Sequence, residues 1–230
     1  MVCMKSVEVD SKKNYFPELI ERINYLFRIL HSPVEVFSKI MNKKIGVVPM
    51  LIFLFIYFMC SLLLTHTLTN NSKEMVQLLK DAPSESLKTV VVIFTSFIQS
   101  IGFLINILIS SIIYKFLMFI FKIKIPLKDM IKIVFISQIP TIFLLVTKIL
   151  SIQYTDIDPL IPITSLGYTV SLLETNDLIV KFFSKIEIFS IWSLYLVSLG
   201  ISIFSKKRLR NILVPVVIIT ILYNYIADIL

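Results

Sequence analysis

Five long apolar runs, separated by short charged segments, constrain this chain more than any other feature. A helix needs about 20 mostly apolar residues to cross roughly 30 Å of hydrocarbon. Residues 46–68, 89–121, 130–150, 188–205 and 211–227 are the candidate spans. Inside lipid each must be helical, because a backbone group left unpaired there finds no water. The third run is the most tightly bounded by charge: 15 uncharged residues separate Lys132 from Lys148, so both lysines must snorkel, one toward each face. The predicted fold is therefore all-α, an integral membrane bundle of five transmembrane helices filling 45–230. Two short amphipathic helices precede it in 15–44, behind a polar, disordered stretch at 1–14.

A net charge of +8 raises the question of nucleic acid, but the distribution of the charge argues against it. Cytoplasmic segments of membrane proteins hold an excess of Lys and Arg. Eight such residues precede the first run, from Lys5 to Lys44. Three follow in the next segment, then five (Lys115, Lys122, Lys124, Lys128, Lys132), then three (Lys148, Lys181, Lys185), then four (Lys206, Lys207, Arg208, Arg210). This alternation requires five crossings with a cytoplasmic N-terminus and an outside C-terminus. Without the third span, the Lys206–Arg210 cluster would fall outside. The implied partners are a bilayer with an anionic inner leaflet and an unidentified membrane or cytosolic protein, with a homo-oligomer allowed and nucleic acid excluded. The first apolar run begins too late for a cleavable signal peptide. Cys3 and Cys60 fall on different levels of this topology and cannot pair.

Before the first span, Phe16, Leu19, Ile20, Ile23, Leu26, Phe27 and Leu30 recur at three- and four-residue spacing, with Glu18, Arg22 and Arg28 between them. That is the pattern of an amphipathic helix. A second helix is announced by Ser32 as cap, Pro33 in the first turn and Glu35 completing a capping box. Val36, Phe37 and Ile40 give it an apolar side. Such helices either lie on the inner leaflet or dock beneath the bundle. In both cases Phe16, Ile20, Arg28, Pro33, Glu35 and Phe37 are the candidate lipid or partner contacts.

Polar residues within the spans are the other candidates. Ser96, Gln99, Gly102, Asn106 and Ser110 recur at three- and four-residue spacing in the second span. They form either a path for a substrate or the polar glue by which membrane helices associate. Gln138 and Pro140 interrupt the third span, and Pro140 predicts a kink there. Trp192 serves as an interfacial anchor or as inter-helix packing. Asn224 shares a face with Thr220 and Asp228. The longest outside loop, 151–184, is broken by Pro159 and Pro162 and predicts a surface helix over 172–183.

The common enzyme templates are absent. The chain carries no HExxH, no GxSxG, no GxGxxG and no phosphate-binding GxxxxGK[ST]. No deep acid–base pair suits an intramembrane protease. The expectation is a non-enzymatic protein without cofactors or metal.

Four local patterns resemble the Yip family of five-span membrane proteins (Ypt-interacting proteins), in its short prokaryotic form. Leu30-His31-Ser32-Pro33-Val34-Glu35-Val36-Phe37-Ser38-Lys39-Ile40 is similar to the family's amphipathic segment before the first span. Phe135-Ile136-Ser137-Gln138-Ile139-Pro140 is similar to its proline-bearing third span. Leu160-Ile161-Pro162-Ile163-Thr164-Ser165-Leu166-Gly167 is the third pattern. Ile186-Glu187-Ile188-Phe189-Ser190-Ile191-Trp192, with Gly200 eight residues on, is the fourth, Glu187 standing where aspartate is usual. The resemblance implies a compact five-helix bundle with a cytoplasmic N-terminus. Eukaryotic members are associated with Rab-type GTPases, but the Asp-Leu-Tyr-Gly-Pro-type segment they carry before the first span is missing here. The expected role is that of a membrane-organising or partner-recruiting scaffold. The alternative is a transporter or permease-associated subunit that moves a small molecule or lipid past Gln99, Asn106 and Gln138. The location is the plasma membrane in a prokaryote and an endomembrane in a eukaryote.

Overall fold

The computed structural model describes residues 24, 27–42, 47–71, 85–154, 161–173 and 176–227. Among them the chain is helical and has no β-strand. The elements in order are α1 (Pro33–Asn42), α2 (Val47–Asn71), α3 (Glu85–Ile120), α4 (Leu127–Ser137), α5 (Thr141–Tyr154), α6 (Leu166–Ser171), α7 (Asp177–Ser184), α8 (Ile188–Ser205) and α9 (Leu209–Ala227). Four segments are long and apolar enough to cross a bilayer: 48–71, 86–120, 127–154 and 188–205. The helix α9 has a shorter apolar stretch, 209–220. Of the two expected amphipathic helices, the second is α1. The first lies outside the described residues except for its final part, and Phe16 and Ile20 with it.

The third apolar run, 127–154, is interrupted at Pro140, where α4 ends and α5 begins. Pro140 brings no N–H, and its ring excludes a straight helix past the carbonyl four residues back. The chain answers with a tight turn: the Gln138 N–H donates to the Phe135 carbonyl at 3.1 Å and the Ile139 N–H to the Ile136 carbonyl at 3.2 Å. Helix geometry resumes at Thr141, whose hydroxyl donates to Gln138 Oε1 at 2.9 Å. In lipid this local repair is what makes a mid-span proline tolerable.

Helix α8 is central. It packs against α1, α4, α5 and α9, while α2 pairs with α3 and α5. The main core is built by Val36, Phe37 and Ile40 of α1, Met130, Ile133, Val134, Phe135 and Ile136 of α4, and Leu196, Val197, Leu199 and Ile201 of α8. An aromatic layer ties α2 to its neighbours: Phe53 meets Phe135 edge-on with centroids 5.2 Å apart, and Tyr57 stacks on Phe103 at 4.0 Å.

Helices α3 and α8 both end with a lysine in the left-handed conformation, Lys122 at φ 56° and Lys206 at φ 55°. The Ile123 N–H donates to the Met118 carbonyl and the Lys207 N–H to the Ser202 carbonyl, so each end closes its last carbonyls in the double-bonded C-terminal motif that glycine usually serves. A cation at this position also opposes the negative end of the helix dipole. In the connector that follows α3, Ile123 and Ile125 are buried while Lys122 and Lys124 face outward.

Candidate functional site

Two constellations sit toward opposite ends of α8. Near its C-terminal end, α1 is clamped into a notch at Gly200. Phe37 is fully buried, and a Cβ added at Gly200 would lie 2.6 Å from Ile133 Cγ2 and 2.9 Å from Phe37 Cε1. The close approach requires glycine at this position. Burying a phenylalanine ring is worth about 1.5–3 kcal/mol relative to exposing it, so Phe37 anchors α1. This corrects the reading of Phe37 as a lipid or partner contact: it is an internal contact. The helix α1 is packed against α8 by this side.

The outer side of α1 carries what Phe37 does not. Val34 is 55% exposed and Phe27 56%. The Glu35 carboxylate accepts from Lys39 Nζ at 2.6 Å and lies 3.9 Å from Arg28. Lys39 first, then Arg28, holds the Glu35 carboxyl below the ordinary carboxylate range. The expected capping box at Ser32 is replaced: the Ser32 N–H donates to the Arg28 carbonyl at 2.8 Å, so Glu35 turns to the cations instead. Pro33 opens the helix, as its fixed φ favours.

At the other end of α8, Glu187 is 2% exposed and caps the helix. Its Oε2 accepts from the Ser190 N–H at 2.8 Å and its Oε1 from the Thr164 hydroxyl at 2.7 Å. Thr164 also reaches Thr147 Oγ1 at 3.5 Å, and Ser151 Oγ on α5 accepts from the Ile163 N–H at 2.8 Å. Lys148 lies within electrostatic reach of Glu187. From sequence alone Glu187 and Lys148 are no more than boundary charges. The signal for more is present: Glu187 stands at the acidic position of one family-like pattern and Thr164 within another, and the fold joins the two. Ser165 and Glu187 form an antiparallel bridge beside the bond from the Leu166 N–H to the Ile186 carbonyl.

The helix expected over 172–183 starts later, as α7 (Asp177–Ser184), and a separate short helix, α6 (Leu166–Ser171), precedes the expected range. Asn176 caps α7, accepting from the Leu178 N–H at 2.9 Å, and so starts the helix there. A Cβ at Gly167 would lie 2.5 Å from the Ser184 backbone, so the two helices touch through glycine.

The polar stripe of α3 divides between two environments. Ser96 is fully buried, and Gln99 accepts from the Ser61 hydroxyl of α2 at 2.5 Å. Gly102 has open space around it, and the exposed Asn106 accepts from Ser110 at 3.3 Å. A second cross-helix link joins Tyr114 of α3 to Thr220 of α9 at 2.9 Å. Ser96, Ser111, Ser137 and Ser198 bond carbonyls of their own helices, the usual way of hiding a hydroxyl from lipid. Pro140 is buried, and Gln138 is engaged with Thr141. Trp192 is half-buried against the core, with its ring 5.6 Å from that of Tyr195 on the same helix. Asn224 lies on α9, with its side chain outside what the structure describes, and Asp228 lies beyond the described residues. Among the described residues no group of three or more His, Cys, Asp or Glu could hold a metal ion.

The fold joins three of the four family-like patterns: the last meets the first where Gly200 receives Phe37, and meets the third where Glu187 accepts from Thr164. Comparison with protein families matches the Yip1 domain over residues 27–227. The chain belongs to the Yip1 domain family. The match begins at the turn before α1 and runs to the last residue of α9, so this Yip1 domain includes the docked helix as well as the spans. With four helices of spanning length, the chain is a multi-pass membrane protein. No curated protein and no solved structure matches it.

Proposed function

We propose that this Yip1-domain protein is a non-enzymatic, five-span membrane scaffold that recruits a protein partner at the α1 end. In this reading α9 is the fifth crossing, the N-terminus is cytoplasmic and the C-terminus outside. The observation that carries it is the division of α1 into two faces. Phe37 and Val36 fix the helix to α8, and Val34, Glu35 and Lys39 are presented outward with Phe27 and Arg28 beside them. A helix held rigidly by one face offers the other without the ordering cost that a free segment incurs on binding. The outward lysines of the α3–α4 and α8–α9 connectors surround this end with positive charge, at about 1 kcal/mol per residue toward an anionic leaflet.

The transport reading receives no support from the residues that suggested it. Gln99 is bonded to Ser61, Gln138 to Thr141, and Asn106 lies on a different side of α3 from Ser96.

The test is in-membrane photocrosslinking from a benzophenone amino acid at Val34, with Phe37 as the internal control. A dominant protein adduct from Val34, and only intramolecular adducts from Phe37, is the expected outcome. Lipid adducts alone from Val34 would overturn the recruiting role.

A further inference from the structure

We infer that the α6–α7 hairpin is seated in the lipid leaflet at the end of the bundle opposite α1, with the apolar face of α7 inserted at the headgroup–acyl boundary. The helix α7 has three faces. Val180 is buried and Ser184 abuts Gly167, which forms the packed side. Asp177, Lys181 and Lys185 form a charged side. Between these two, Leu178, Ile179 and Phe182 project outward, 75%, 46% and 64% exposed, and Leu172 and Leu173 at the end of α6 add 60% and 72%.

These side chains are not loose residues waiting to fold back. The hairpin is closed by the Ser165–Glu187 bridge, braced by the backbone approach at Gly167, and tied to α5 and α8 through Thr164 and Ser151. The apolar side of this braced hairpin is turned away from the bundle. Left in water, that side would forfeit the burial free energy that lipid cover gives each large apolar side chain.

The depth follows from the connection. The hairpin closes at Glu187, and the apolar helix α8 starts one residue later at Ile188, itself 59% exposed. The hairpin is thus continuous with the lipid-facing surface of a span and sits at its boundary. An apolar face flanked by lysines is the pattern of a helix lying in the interface plane, with the ammonium groups reaching phosphate. This inference rests on the chain's place in a membrane and is independent of any partner at α1.

The experiment uses the full chain, with Cys3 and Cys60 replaced by alanine, in nanodiscs of phosphatidylcholine and phosphatidylglycerol at a ratio of about three to one. Single substitutions Leu178→Cys, Phe182→Cys and Lys181→Cys carry a bimane label. The expected result is blue-shifted emission at 178 and 182, with quenching by doxyl-labelled lipid at least about twofold stronger than at 181. Equal iodide quenching at all three positions would place the face in water and overturn the proposal. Blue-shifted emission at 178 and 182 that doxyl lipid does not quench would mean protein covers the face, and would overturn it as well.

Discussion

At the residue scale the fold depends on a few side chains whose roles are unlike their reputations. Gly200 is a notch rather than a flexible point. Gly200→Ala overpacks Ile133 and Phe37 and is expected to cost about 1–3 kcal/mol, read as a lower unfolding temperature in detergent together with new protease sensitivity in α1. Glu187 is a knot. Glu187→Ala strips the cap from α8 and leaves the Thr164 hydroxyl and the Ser190 N–H short of an acceptor, a loss of about 1–3 kcal/mol. Glu187→Gln keeps an acceptor and should lose less; calorimetry on the two variants separates them. Glu35 is an exposed charge whose carboxyl is held below its ordinary value by Lys39. Its contribution is present above the unfolded-state value and fades as pH falls through the lowered one. Salt should weaken it, and an NMR titration of the Glu35 carboxyl with and without Lys39→Ala measures the shift. None of these three roles was legible from composition. Glu187 reads as a loop charge because burial is a property of the packed chain, and Gly200 gains its meaning only when Phe37 comes to rest against it.

At the element scale the sequence was most informative where the physics is local. Long apolar runs have no alternative to helix in lipid, so α2, α3 and α8 were readable from hydropathy, and the Ser32-Pro33 start placed α1. What was not readable depended on competition between local and distant forces. Pro140 predicts a kink, and its form, a tight turn over 138–140, was not readable, because it depends on Gln138 and Ile139 finding closer carbonyls and Thr141 finding Gln138. The outer helix, expected from 172, starts only at Asp177, because Asn176 offers it a cap there. The α3 stripe looks like one surface because its spacing is helical, but a helix touched by a partner on one side only gives neighbouring residues different environments. The Ser61–Gln99 bond is the part that joins α2 to α3. A double-mutant cycle of Ser61→Ala and Gln99→Leu should yield a coupling of about 0.6 kcal/mol, the average for polar contacts between membrane helices. A coupling indistinguishable from zero would show that the aromatic layer alone holds the pair.

At the scale of the whole molecule, the arrangement is a central helix with a docked lever toward one end and a braced hairpin at the other. The sidedness drawn from the lysine alternation has a direct check. Lys124→Cys and Lys206→Cys should react with an impermeant maleimide from one side of sealed vesicles, and Lys181→Cys from the other. Labelling of all three from the same side would refute the five-crossing arrangement. Helix α3 bears on where such a molecule can live. At 1.5 Å per residue its 36 residues make a rod of about 54 Å, and the uncharged stretch between Lys88 and Lys115 alone spans about 39 Å of it. A hydrocarbon slab of roughly 30 Å cannot hold that stretch upright. The rod must lean, or the lipid around it must thicken, and either response carries a cost that differs between compartments. A thicker membrane would let this helix stand straighter.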